Sequence, residues 1–60
     1  MSVIYRVEQP EGTVVWTGTS ELADYSTVPA EYTTTAVTAT THIFENDVLI
    51  SVVYPYVEGA

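Results

Sequence analysis

Thr33-Thr-Thr-Ala-Val-Thr-Ala-Thr-Thr-His-Ile-Phe44, then Glu45-Asn46-Asp47, then Val48-Leu-Ile-Ser-Val-Val-Tyr54, is the stretch that decides the fold class. Two runs of β-branched and aromatic residues flank a short polar break. Such side chains suit a pleated, half-buried surface and Glu-Asn-Asp is turn chemistry, so residues 33–54 read as a long β-hairpin. In its first half Val37 and Ala39 share a face with Thr35 and Thr41, which gives little bulk. In its second half strict alternation sets Val48, Ile50, Val52 and Tyr54 on one face and Leu49, Ser51 and Val53 on the other. A strand apolar on both sides expects burial from both directions, which a chain of 60 residues can hardly supply alone.

Upstream, Val3, Tyr5 and Val7 alternate against Ser2, Ile4, Arg6 and Glu8, a strand with one good apolar side. Gln9-Pro10-Glu11-Gly12 supplies a turn, with Pro presetting φ and Gly taking a conformation other residues resist. Thr13 to Thr17 returns, with Val14 and Trp16 on one face and Trp16 expected to be the largest contributor to the core. Residues 2–17 are thus a first hairpin. Gly18 to Glu31 reads as a connection, with Ser20 capping one helical turn through Tyr25 and Val28 extended ahead of Pro29. Leu22, Tyr25 and Val28 are its expected anchors. Pro55 ends the last strand, and the tail 55–60 is expected to order only on contact. The fold class that follows is all-β: a small antiparallel sheet or partial β-sandwich of two hairpins, four or five strands, joined by a short connection in a single domain 1–60.

A chain of this length buries only about 60% of the surface its unfolded form exposes, so small domains lean on disulfides, metals or association. There is no cysteine, and the lone His42 has no second imidazole or thiolate to complete a zinc site, so association is the remedy left. Eight acidic residues face one Arg6 and no lysine, for a net charge of -7. That balance disfavours direct contact with nucleic acid or an anionic membrane surface, both of which need Lys and Arg. The acids are spread along the chain rather than run together, as on a solvated surface. No apolar run approaches the roughly 20 residues of a membrane span. The opening Met-Ser-Val-Ile-Tyr-Arg lacks the basic-then-apolar start of a signal peptide and reads as a native beginning, from which a complete small cytosolic product is expected.

Residues 12–41 resemble the middle of a fibronectin type III or related immunoglobulin-like β-sandwich module. The resemblance rests on Gly12-Thr-Val-Val-Trp-Thr-Gly18, on Thr27-Val-Pro-Ala-Glu-Tyr32 and on the threonine-rich run after it. Such a module needs about 100 residues and seven strands, so the resemblance implies a truncated or minimal relative. It also implies a setting, since modules of that kind recur as accessory domains of bacteriophage virion proteins.

Candidate chemistry is thin. Glu45-Asn46-Asp47 is oxygen-rich but lacks the further ligands and the bidentate Glu of a calcium loop. Glu8 and Glu11 bracket an exposed turn, without the burial that shifts a general acid or base. His42 is expected at a strand end touching solvent. No phosphate loop, nucleophile-base arrangement or metal set emerges, so no enzyme, cofactor or metal is expected. The aromatics carry more: Tyr5 and Trp16 are assigned to the core and Tyr54 and Tyr56 to a contact surface. Two functions compete. The first is a non-enzymatic structural or accessory protein of a larger assembly, most specifically a small bacteriophage virion component such as a capsid decoration or tail-associated protein, assembled in the host cytoplasm. It would meet a protein partner or further copies of itself through Leu49, Ser51, Val53, Tyr54, Tyr56 and Val57, using strand edges that no lysine guards. The alternative is a cytoplasmic acidic inhibitor whose carboxylates stand in for nucleic-acid phosphates on a basic enzyme or host-defence protein, which needs the acids on one surface.

Overall fold

A computed structural model describes residues 2–57. Four strands form one antiparallel sheet: β1 (Val3–Gln9), β2 (Thr13–Ser20), β3 (Thr41–Glu45) and β4 (Val48–Val53), in the order β2-β1-β3-β4. The all-β reading holds, and the hairpins β1–β2 and β3–β4 lie side by side in the same sheet, joined by β1 against β3. What packs on the sheet is the connection, residues 21–40, which carries a 3₁₀ turn at Tyr25–Thr27 and one helical turn, α1 (Ala30–Thr33). The Cα envelope is 44 × 22 × 15 Å. Layers pack about 10 Å apart, so a 15 Å thickness holds two layers and no third.

Alternation in β1 is as the sequence implies: Tyr5 and Val7 are fully buried on one face, while Ile4 is exposed on the other. Around them the core gathers Ile43 from β3 and Val28 from the connection, with Val3, Val15, Trp16, Tyr32 and Val53 packed against it. Val28 is extended (φ -70, ψ 128), as its place before Pro29 requires. Tyr25 meets Tyr5 edge-on at 6.5 Å between ring centroids. Leu22, expected as an anchor, is 87% exposed, because β2 continues to Ser20 and the chain reverses through a turn there instead of entering a helix. Ser20 still organises that corner: its hydroxyl accepts from the Asp24 amide at 3.0 Å, and Asp24 in turn accepts from the Ser26 amide at 2.9 Å.

The long hairpin is shorter than its composition suggests. Residues 34–40 are irregular and the strand begins at Thr41. The threonine hydroxyls satisfy backbone groups locally: Thr34 Oγ1 donates to the Ala30 carbonyl at 3.0 Å and accepts from the Ala36 amide at 3.3 Å. Such bonds compete with a ladder, and β4, six residues long, has nothing left to pair with them. Val37 is buried instead, fastening this segment to the covered side. The connection is therefore twenty residues rather than short, and it serves as the second layer.

Two β-bulges overturn the remaining face assignments. Between Val7 and Glu8 the pairing slips so that Val7 faces Trp16 but Glu8 faces Val14. Val15 is the extra residue, and it packs on the core beside Trp16 while Val14 turns to the outside. Trp16 itself is half-buried and flanks the core whose centre is Tyr5, Val7 and Ile43. Between Ile43 and Phe44 the second slip makes Ile50 the extra residue. Val48, Ser51 and Val53 then take the covered face, and Leu49 and Val52 the outer one.

Candidate docking surface

Both turns use positive φ, at Gly, Asn and Asp and, against its preference, at Glu11. Asn46 (φ 50) and Asp47 (φ 66) make the two-residue type I′ turn that matches the twist of a hairpin. Asn46 also ties that turn to β1, its amide donating to the Ile4 carbonyl at 2.9 Å and its Oδ1 accepting from the Ile4 amide at 2.9 Å. At the other end, Glu11 (φ 67) and Gly12 (φ 74) complete the turn over Pro10–Gly12.

The outer face of the sheet follows from register, since directly paired residues share a face. One row across the four strands is Thr17, Arg6, Phe44 and Leu49; the next is Val14, Glu8, His42 and Val52. Ile4, paired with Thr19, lies beside them. Ile4, Val14 and Leu49 are each about half exposed. Nothing among the described residues packs over this face. Its polar centre is Arg6, whose guanidinium sits 4.4 Å from the Phe44 ring centroid, bonds Glu8 through Nε at 2.5 Å and bonds Asp47 through Nη1. The two carboxylates, Asp47 first, hold the Arg6 guanidinium above its usual pKa. Ile4, Arg6, Thr17, Asn46 and Asp47 line a depression of about 200 Å³ at the turn end of this face.

The six residues expected at a contact surface do not share a face. Leu49 lies on the outer face, Ser51 and Val53 lie on the covered one, and Val53 packs against the core. Tyr54, Tyr56 and Val57 are all exposed beyond β4, and the Tyr56 amide donates to the Thr35 carbonyl at 3.3 Å. Of the expected tail, residues 58–60 lie outside the described residues. Reading by alternation missed Ile4, Val14, Phe44 and Val52 as outer-face residues of one surface; the signal for Ile4 was present in β1, but Val14 and Val52 are placed by bulges.

The carboxylates are divided over the molecule. Glu8 is on the outer face, and Glu45 on the covered face accepts from the Tyr5 hydroxyl at 3.0 Å. Glu11 and Asp47 occupy turns at opposite ends of the antiparallel sheet, and Glu21, Asp24 and Glu31 belong to the connection. The oxygen-rich turn commits its side chains to other residues of the chain: Glu45 to Tyr5, Asn46 to Ile4 and Asp47 to Arg6. Burial first, and then the bond to Glu45, raises the Tyr5 pKa. The Ser26 amide and hydroxyl lower that of Asp24. Comparison of the chain with protein-family models, with curated proteins and with solved structures finds no match.

Proposed function

We propose that this chain is a non-enzymatic accessory subunit that docks on a larger protein assembly through the outer face of its sheet. The observation that carries the reading is that face itself: Ile4, Val14 and Leu49 exposed beside Phe44 and Val52, in a fold whose covering layer is spent on the other side. Strands at about 3.3 Å per residue and 4.8 Å spacing give the face an area of about 400 Å², shared between those apolar residues and Thr17, Arg6, Glu8 and His42. Arg6, Glu8 and Asp47 supply a polar element that fixes orientation more than affinity.

In its most specific form the subunit is a bacteriophage virion component, a capsid decoration or tail-associated protein. Support for that setting comes from the resemblance of residues 12–41 to β-sandwich modules of virion proteins. The nucleic-acid-mimic reading needs its acids on one surface, and their division between faces, ends and connection gives it no support.

The test uses the chain in its native extract. Ile4→Lys and Leu49→Lys place charge on exposed positions, so folding and melting are expected to persist while co-sedimentation with a large assembly is lost. A wild-type chain that sediments alone, or variants that co-sediment as well as wild type, would refute the reading.

A further inference from the structure

We propose that β4 pairs antiparallel with β4 of a second copy of the chain, about a dyad normal to the sheet, so that two four-stranded sheets become one continuous sheet. Among the described residues β4 is an edge strand, and its backbone faces outward unpaired on one side. Proteins blunt such edges with charge, proline or a covering segment. Val48 to Val53 holds no charge and no proline, and the chain beyond it turns away to bond Thr35 rather than covering the edge. Val48 and Ile50 are 62% and 43% exposed.

The bulge supplies the register. In a regular strand, residues three apart point to opposite faces and cannot be cross-strand neighbours of one another's copies. Because Ile50 is an extra residue, Val48 and Val53 share the covered face and Leu49 and Val52 share the outer face. Leu49 then lies opposite the partner's Val52, and Val48 opposite the partner's Val53, with apolar side chains meeting on both sides of the joined sheet. Shifting the pairing by one residue sets outer-face side chains against covered-face ones and loses this match.

Charge selects the antiparallel sense. Each copy carries -7, and the acidic residue nearest β4 among the described ones is Asp47, at its start. Antiparallel pairing sends the Asp47 turns to opposite ends of the joint, about 20 Å apart at about 3.3 Å per residue, well beyond the roughly 8 Å screening length at physiological salt. Parallel pairing would set them side by side.

Area gives the joint a consequence that rests on the docking reading above. A single outer face offers about 400 Å², half of the roughly 800 Å² per partner of a standard specific interface. A dyad normal to the sheet keeps both outer faces on the same side. The dimer presents about 800 Å² in one surface.

The experiment uses the full chain. Light scattering after size exclusion at about 0.15 M ionic strength is expected to give twice the 6.6 kDa chain mass at micromolar concentration and above. Ile50→Lys, which sets two cations together near the dyad, is expected to return the monomer with its circular dichroism unchanged, and Ile4→Lys on β1 to leave the dimer intact. Since the chain has no cysteine, a mixture of Leu49→Cys and Val52→Cys copies reads the register directly. The mixed 49–52 disulfide is expected to form several-fold faster than either self-disulfide. A wild-type monomer up to millimolar concentration would overturn the pairing, as would self-disulfides forming as fast as the mixed one, whether or not Ile50→Lys folds. Loss of docking by Ile4→Lys in an intact dimer supports both readings, whereas docking by a monomer sinks the dimer alone.

Discussion

Replacing Gly18 by Ala tests how the tryptophan is seated. Gly18 lies in β2 opposite Tyr5, and the Trp16 ring is folded across it. A methyl group on Gly18 would fall 2.5 Å from Trp16 Cη2, 2.6 Å from Cζ2 and 3.3 Å from Cζ3. Unbonded carbons rest at about 3.5 to 4.0 Å, so the ring must retreat by about 1 Å or rotate away from Tyr5, Val7 and Val28. Two effects oppose each other. Alanine restricts the unfolded chain and suits a strand better than glycine, a gain of about 0.5–1 kcal/mol. Overpacking costs about 1–3 kcal/mol, because the displaced ring gives up contacts with the core it flanks. The loss wins by about 1 kcal/mol, which lowers Tm by about 4–8 °C in a domain of this size. Thermal and urea unfolding measure the loss, and emission of the single tryptophan is expected to shift to the red as the ring moves toward water. Gly18→Val, with stronger β propensity and more bulk, is expected to be less stable still. A Gly18→Ala chain that melts higher with emission unchanged would show that the ring does not lie over Gly18.

Asn46→Ala removes the acceptor for the Ile4 amide and puts alanine at φ 50; the combined cost is expected to be about 1–2 kcal/mol in urea unfolding, larger than for Asn46→Gly, which keeps the turn conformation. Stability is expected to fall at both ends of the pH scale. Tyr5 has its folded pKa raised, so its contribution is complete below the ordinary tyrosine value near 10.0 and is lost as pH rises through the raised one; Tyr5→Phe should flatten the alkaline limb of Tm against pH. Asp24 has its folded pKa lowered, so its contribution is present above the ordinary value near 3.8 and is lost as pH falls through the lowered one; Asp24→Asn, which retains an acceptor for the Ser26 amide, should shrink the acid limb.

The β character of the chain and the faces of β1 were legible because a single alternating pattern there answers to a single buried side. The β1–β2 and β3–β4 turns were legible from Pro10-Glu11-Gly12 and Glu45-Asn46-Asp47, since Gly12, Asn46 and Asp47 are of the types that accept the positive φ found there, whereas the positive φ of Glu11 had no such signal. Face assignment failed in β2 and β4 for one physical reason. Each pairs across a bulge, and one extra residue reverses the parity of everything beyond it. Val-Val in β2 and Leu-Ile in β4 are apolar at consecutive positions, so composition gives no sign of which residue is the extra one. Thr33 to Thr40 failed differently: β-branched residues favour strands, but the hydroxyls of Thr33 and Thr34 reach the Ala30 carbonyl, and a strand there would lack a neighbour. Alternation does not reveal the outer surface, since Val14 and Val52 join Leu49 on it only through the two bulges.

Arg6 explains how such a face can stay in water. The single arginine of the chain is spent in the middle of the outer face, where its guanidinium covers part of the Phe44 ring and its charge is met by Glu8 and Asp47. An arginine carries an apolar stem and a weakly hydrated planar head, so it shields an aromatic ring without presenting a large apolar patch. The same arrangement shapes what can bind. A charge already paired and hydrogen-bonded costs less to cover than a free one, so burying the centre of the row does not strand a cation. Asp47 differs: it shares Arg6 with Glu8 and its side chain is 83% exposed, leaving the cluster one negative charge in excess at the turn end of the face. A surface that covers Ile4, Phe44 and Leu49 therefore matches best when it is apolar over those three side chains and offers a donor or a cation where the row meets the Asn46-Asp47 turn. One excess negative charge at the turn end, on a face that mixes Val14, Phe44, Leu49 and Val52 with Thr17, Glu8 and His42, would give any bound surface an orientation to read.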